Sequence, residues 1–586
     1  MNRNEIESSL KWDLNSLFAD QEAYTKQMEA ARKLLHDLSQ YKDHICDNKE
    51  TYIAFMNKQE ELERYLDNLL NFAKMSTDVD PKDETAQENL AASYTLLQQA
   101  NVALTFVPLE LIRNKETVEE YLKEEDCKDF TYPMEEIFRT IPHRLSDEKE
   151  AMMASVDELA RVPQDTFESF RLEFEPVMVD GKEEFLNDGT YQQFLLHKDA
   201  AVRKEAFEHF FEEYKKYQNV FLNLLSGHAK GQVFNARMRK FPSALEASLF
   251  EDGADRVLFD KVLYMANEKY RNYVHEYFSA RREILNLDVQ HVYDINLPLV
   301  KDVDIHYTID DSFKILKEAL APLGKEYVSL LDTAREERWV DFLPCAGKQG
   351  GAYSGGSYDS KPFVLTNFTN DYTSLSTLAH ELGHSMHSYF SRRSNRPMLS
   401  NYTLFVAEVA STVNEVLLNK YLLKTSDDPN YKAYLLSNML TQLVGTLYRQ
   451  PMYAEFECGI HEQLEKGDSL SSQKVTQFYL DLNKAYFGEG VEVDDLQRYF
   501  CYHIPHFYMN FYVYKYTLGM SVALSFATRI LAGDVSDYLK FLSKGGSESP
   551  IDELVHAGVD PRDDQVYDDA FTFFKETLDE LKNILL

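Results

Sequence analysis

Thr377-Leu378-Ala379-His380-Glu381-Leu382-Gly383-His384-Ser385-Met386-His387 is the stretch on which the reading of this chain turns. On a helix, His380 and His384 are four apart and share one face, one turn above the other. Two imidazoles so placed can converge on a single Zn²⁺ at about 2.0–2.1 Å. Glu381 follows the first histidine and is rotated by about 100° around the axis. Its carboxylate therefore reaches a metal-bound water rather than the metal, which is the division of labour of H-E-x-x-H. In a chain of this composition the motif arises by chance only roughly a few hundredths of a time, so coincidence is a weak explanation. The plainer alternative is a structural histidine pair on an ordinary helix.

A catalytic zinc wants three protein ligands and one open position. His387 lies seven residues beyond His380, about 10 Å along an unbroken helix, too far to share the ion. It is expected to pack behind the ligands or line the pocket. The glycine and histidine of the metzincin spacing are absent, those places holding His387 and Phe390. The better third ligand is Glu408, within Leu404-Phe405-Val406-Ala407-Glu408-Val409-Ala410-Ser411-Thr412-Val413-Asn414-Glu415. A bare carboxylate among these apolar residues costs on the order of several kcal/mol unless paired or metal-bound. Glu415 shares the face of Glu408 and can hold the second nitrogen of a ligand histidine.

A third constellation comes late: Tyr502-His503-Ile504-Pro505-His506-Phe507-Tyr508-Met509-Asn510-Phe511-Tyr512-Val513-Tyr514-Lys515-Tyr516. Its hydroxyls and imidazoles can steady the oxyanion of a tetrahedral intermediate. The alternative is an aromatic core helix.

Outward from these motifs, residues from about 20 to 170 read as successive amphipathic helices. A short hairpin closed by Asp180-Gly181 is expected between Leu172 and Phe185. Helical periodicity resumes at Asp199, a plausible N-cap, so the chain is divided into 1–198 and 199–586. A second island of strand character runs from about Ala352 to Phe368, directly before the histidine helix, with glycine pairs at Gly350-Gly351 and Gly355-Gly356. The expected architecture is mostly α with a small sheet in the second lobe.

The formal charge is −35, from 62 basic and 97 acidic residues. A field of that sign repels nucleic-acid phosphates and anionic lipid, so neither is an expected partner. The five scattered cysteines form no C-x-x-C pair and argue for a reducing compartment. The start, Asn2-Arg3-Asn4-Glu5-Ile6-Glu7, carries charges where a signal peptide needs an apolar run. The cytoplasm is the expected location.

At its three motif segments the sequence resembles the thimet oligopeptidase family of zinc peptidases, and most of all the bacterial oligoendopeptidase F branch. Gly350-Gly351-Ala352-Tyr353, His380-Glu381-Leu382-Gly383-His384, the Glu408 segment, Pro505-His506-Phe507-Tyr508 and Gly545-Gly546-Ser547 stand in the family's order. The resemblance covers roughly residues 200–586, the earlier part matching only in helical character. It implies a two-lobed, clam-like helical metallopeptidase acting on short peptides, with one zinc ion held by His380, His384 and Glu408. It implies that the strand at Gly351, Ala352 and Tyr353 pairs with substrate backbone, with His503 and Tyr508 also on the substrate side. His506, Tyr512 and Tyr516 become the transition-state donors, while Tyr508 and Tyr514 compete for that part because the tyrosine spacing needs a one-residue gap.

The expected reaction is hydrolysis of internal bonds of short unfolded peptides by a metal-activated water, with Glu381 as general base. The rivals are a zinc carboxypeptidase or dipeptidyl carboxypeptidase, needing a cation such as Lys515 or Arg449 for the substrate's C-terminal carboxylate. From another class comes a non-catalytic peptide-binding protein with a structural zinc.

Overall fold

Most of the chain obeys the 3.6-residue period, and the structure follows it. The computed structural model describes residues 2–300, 303 and 305–586. Among them the long elements are helices, with two small sheets. Caps are set by local sequence. Asp20, Asn48, Asp83, Asp199 and Asp371 each accept a backbone N–H in the first turn of the helix that follows, satisfying donors that otherwise go unpaired. Asp199 caps Ala200–Lys216 as expected.

The backbone gathers into two compact units, each built from three separate segments: 1–142, 305–421 and 526–558, then 143–304, 422–525 and 559–586. The division 1–198 and 199–586 describes order along the chain, and the units cut across it. The change of pattern near Leu172 marks a local event inside the second unit, where the hairpin packs on Ala200–Lys216.

That hairpin is β1 (Val177–Val179) against β2 (Lys182–Glu184), antiparallel, with Val179 opposite Lys182. Asp180 and Gly181 have φ of 48° and 80°. Two left-handed residues in a two-residue loop make the primed turn that matches strand twist, which is why Asp-Gly signals it.

In the first unit, helices Gln21–Ser39, Lys49–Val79 and Glu84–Ala103 pack on one another around Tyr52, Phe55, Leu62 and Leu69. The second sheet has the order β3-β5-β4, from Val340–Asp341, Tyr353–Gly355 and Phe363–Leu365, with β3 parallel and β4 antiparallel to β5. Trp12, Met75 and Val79 cover Phe363 and Leu365. The β3–β5–β4 sheet is smaller than the strand island in the sequence. Its β3 partner is too short for any alternation to betray it. Beneath it Lys348 and Asp341, both fully buried, pair at 2.8 Å. Lys348 also donates to the carbonyls of Leu343 and Thr366 at 2.9 and 2.6 Å, tying down the loop before β4. The sheet packs against the helix Tyr372–Ser394, which carries His380 and His384.

The second unit is filled with rings. Phe174, Tyr191 and Phe210 form a stack, with Phe210 4.7 Å from Phe174 and 4.0 Å from Tyr191, and Phe207, Phe211, Tyr214 and Phe221 extend the cluster. All five cysteines are free. No helix among the described residues is long and apolar enough to cross a membrane.

Candidate active site

The histidine helix starts at Tyr372, where the Asp371 carboxylate accepts from Ser374 N–H at 2.7 Å. Leu375, Leu378, Ala379, Leu382 and Met386 recur at helical spacing and are buried. That leaves His380 and His384 half-buried on another face. The rings sit 4.8 Å apart, near-perpendicular, with their Nε2 atoms 3.1 Å from each other.

The partner helix, Leu404–Thr425, is apolar nearly all round: Phe405, Val406, Val409, Ala410, Val413 and Val416 are buried. Glu408 stands among them. Its side chain is 52 % exposed rather than enclosed by those neighbours, and Oε2 stands 3.4 Å from His380 Nε2 and 3.7 Å from His384 Nε2. One ligand atom from each of His380, His384 and Glu408 falls within 4.8 Å of the others. Two imidazole nitrogens and a carboxylate oxygen are the donor set of a zinc-class ion with a position to spare. Glu415, two turns further along the same face, holds His380 from behind, Oε2 to Nδ1 at 3.5 Å.

The two helices approach so closely because residue 383 is glycine. A Cβ there would meet Ser411 Cα at 2.6 Å and the Ala410 carbonyl oxygen at 2.7 Å. Both are backbone atoms that cannot rotate aside. Beside this crossing, buried Asn414 donates from Nδ2 to the Ala379 carbonyl at 3.0 Å and accepts at Oδ1 from the Tyr327 hydroxyl at 2.8 Å. Sequence reasoning missed Gly383, Asn414 and Tyr327. The signals were present: a glycine inside a helical pattern, which costs about 1 kcal/mol unless packing uses it, and an amide in an apolar helix.

Electrostatics follow from this crowding. Burial opposes charge on His380, but Glu408 and Glu415 outweigh it and hold the imidazolium up to about 10. His380 and burial act on Glu408 in opposite senses, and the histidine wins, drawing its carboxyl down to about 2. Burial and its charged neighbour push His384 down to about 4. Glu381 is buried, and burial with the nearby Glu408 and Glu415 charges lifts its carboxyl to about 7, against the pull of His380. The backbone N–H of Ser354, in β4, also bonds it. His387 is fully buried, stacked on Tyr402 at 3.7 Å, and depressed to about 3 by burial. It packs behind the pair and stands outside the ligand set.

Gly351 and Ala352 lie just before β4, the edge strand, and with Thr377 of the histidine helix they line a cavity of about 230 Å³. Gly351 has φ 79°. The Tyr353 side chain is already engaged: its hydroxyl donates to Asp78 at 2.7 Å and Lys74 lies over its ring. Any backbone pairing there is left to the peptide groups, not that phenol.

The late residues lie in the second unit. His506, Tyr512 and Tyr516 come together, with ring centroids 6.3 Å apart for His506–Tyr516 and 5.2 Å for Tyr512–Tyr516. Tyr508 is buried and stacked on Phe167 at 4.4 Å, a core ring rather than one offered to a substrate. Tyr514 is fully buried and donates to Asp252 at 3.1 Å. The two competitors are thus committed to packing. His503 shares a hydrogen bond of 2.9 Å with the Tyr214 hydroxyl.

The turn between Tyr508 and Tyr514 is unusual. Asn510 and Phe511 are consecutive left-handed residues, φ 50° and 58°, a conformation costing roughly 1–2 kcal/mol for each non-glycine residue. Ser248 donates to the Asn510 carbonyl at 2.7 Å, and Phe511 N–H donates to the buried Glu457 at 2.8 Å. Burial raises the Glu457 carboxyl from 4.5 to about 8. Above pH 4.5 the unfolded chain ionises this group while the fold keeps it neutral. Its contribution is therefore complete below that value and is lost as pH rises towards 8, by up to about 1.4 kcal/mol per unit. Glu457→Gln keeps the acceptor and removes the titration. The variant's melting temperature relative to the parent is expected to improve between about pH 5 and about pH 8, and parallel curves would refute this.

With the geometry in hand, comparison with known proteins places the chain. Residues 193–573 match peptidase family M3 and residues 113–172 match the Oligopeptidase F family. The chain belongs to peptidase family M3 and is by class a peptidase. It is 36 % identical to oligopeptidase PepF of Bacillus subtilis, over 100 % of this chain and 88 % of that one. It is 33 % identical to an oligoendopeptidase F homolog of Borreliella burgdorferi, over the full length of both. A solved oligoendopeptidase-F structure from Enterococcus faecium aligns at 28 % identity with a TM-score of 0.73, covering 96 % of this chain and 99 % of that one. The likeness extends beyond residues 200–586 to the whole chain. The N-terminal helices carried no motif from which this could be read.

Proposed function

We propose that this peptidase is a zinc-dependent endopeptidase that hydrolyses internal bonds of short, unfolded peptides. The observation that carries the reading is the convergence of His380 Nε2, His384 Nε2 and Glu408 Oε2 beside a buried Glu381. When bound, zinc supplies Lewis acidity to the scissile carbonyl and makes water a nucleophile near neutral pH. Glu381 takes the proton from the attacking water and passes it to the leaving amine nitrogen. A carboxyl lifted to about 7 can do both. Glu415 fixes the tautomer of His380 through Nδ1, leaving Nε2 free to ligate. The clustered His506, Tyr512 and Tyr516 donate to the developing oxyanion, and the β4 edge from Gly351 to Tyr353 pairs with peptide backbone. Peptides are the proposed partners and the cytoplasm the proposed location. The excess of acidic side chains disfavours nucleic acid and anionic lipid.

Glu415→Ala is expected to weaken zinc binding by about 10–100-fold, read by competition with a chromogenic chelator. Unchanged affinity would show that Glu415 does not support the ligand.

The deciding experiment gives the protein peptides blocked at both ends, with and without chelator, and reads products by mass spectrometry. Internal cuts abolished by chelator and restored by zinc are expected. Cleavage confined to free C-termini would replace this reading with the carboxypeptidase one. For that rival Lys515 is no free cation, being paired with Asp252 at 2.7 Å. Zinc binding without hydrolysis would favour the binding scaffold instead, although three described ligands leave the fourth position open.

A further inference from the structure

The second unit contains two neighbouring cavities, of about 60 and 300 Å³, that share Ile295, Asn296 and Arg449 in their walls. The larger is also lined by Arg281. Among the described residues no Asp or Glu lines either one, in a chain with 97 acidic residues. Neither arginine makes an ion pair with a described residue. Arg281 is 3 % exposed. Its guanidinium donates to the Leu297 carbonyl at 2.7 Å and reaches the Tyr277 hydroxyl at 3.4 Å, and Nε has no partner. Around the charge of Arg449 stand the phenols of Tyr453, Tyr479 and Tyr486, the last turned towards the guanidinium, and no other group completes a hydrogen bond of good geometry to the hydroxyls of buried Tyr479 and Tyr486.

A buried charge without a counter-charge is costly, and buried arginines ordinarily hold a carboxylate. Orphaned hydroxyls add to that cost. Here two cations and two phenol O–H groups border neighbouring cavities whose other described polar groups are neutral, including Asn296, Ser437, Asn438 and Thr441. Arg449 also closes the six-residue π-helical stretch Val444–Arg449, a helix form that recurs at functional sites. We propose that Arg281 and Arg449 line an anion-binding chamber that takes a small monoanion, an inorganic halide or a carboxylate. Guanidinium and phenol donors suit either, through charge-assisted hydrogen bonds.

The test uses the full-length protein with sodium chloride and sodium acetate as probes. Chlorine NMR line width is expected to show saturable chloride binding, weakened at least about tenfold in Arg449→Gln and in Arg281→Gln. Displacement of chloride by acetate assigns the chamber to small monoanions in general. Chloride binding without displacement restricts it to halides, and saturable acetate binding alone, read by saturation-transfer NMR, restricts it to carboxylates. Absence of saturable binding by either probe, or binding unchanged in both variants, overturns the proposal. Should the variants fail to fold, crystals of the parent protein soaked in bromide and, separately, in acetate decide: density for either anion beside the two guanidinium groups supports the chamber, and a chamber empty of both overturns it.

Discussion

Glu381→Gln is expected to lower kcat for peptide hydrolysis by about 10³-fold, within the range that general acid–base catalysis contributes, while KM changes little. The substitution keeps size and one hydrogen-bond acceptor. It removes the only thing proposed for this side chain in the reaction, the ability to accept and return a proton. Zinc content should be preserved, because the proposed ligand atoms belong to His380, His384 and Glu408 and not to Glu381. Progress curves on a fluorescence-quenched peptide, with metal analysis of the same sample, make the check. A glutamine variant that retains zinc and turns over near the parent rate would move the base elsewhere.

Gly383→Ala carries the second large effect, on structure first and on metal through it. The added methyl has no room beside the Ser411 and Ala410 backbone, so the two helices must part. Overpacking of this kind costs about 1–3 kcal/mol, and more where backbone has to move. Glu408 lies one turn from Ser411 and would be carried away from the histidine pair, so zinc retention and activity should fall with the melting temperature. Gly519 supplies the control. It sits in the helix Tyr514–Leu531, and a methyl added there would meet nothing within 4 Å. Gly519→Ala should therefore be neutral or stabilise by up to about 1 kcal/mol. Equal behaviour of the two variants, or a Gly383→Ala protein with parental zinc content, would show that the close crossing is not what sets the site.

Much of the chemistry was legible before the fold was known. The spacing of His380, Glu381 and His384 depends only on helix geometry, and so does the exclusion of His387. The Asp-Gly turn and the Asp199 cap are equally local, since each depends on the φ preferences or hydrogen-bonding reach of one or two residues. The mostly helical character follows from periodicity along the chain. The N-terminal membership of the family was not legible, because amphipathic helices without a motif resemble one another.

Other features needed the tertiary structure. Glu408 was singled out from the company it keeps in sequence, yet half its side chain is open to solvent, and only the packing of one helix on another brings it to the histidines. The same crossing gives Gly383 and Asn414 their parts. Tyr508 and Tyr514 stood as competitors of Tyr512 and Tyr516 in the sequence, and their burial in the core is visible only in the packing. By itself, then, the sequence determined the pairing of the two imidazoles, the placing of Glu381 beside them and the helical class, because neighbours on one helix are related by fixed angles. Tertiary structure decided the approach of Glu408 to the histidines, the helix crossing and which tyrosines are buried in packing, because those depend on approaches between segments far apart in the chain that no local rule encodes.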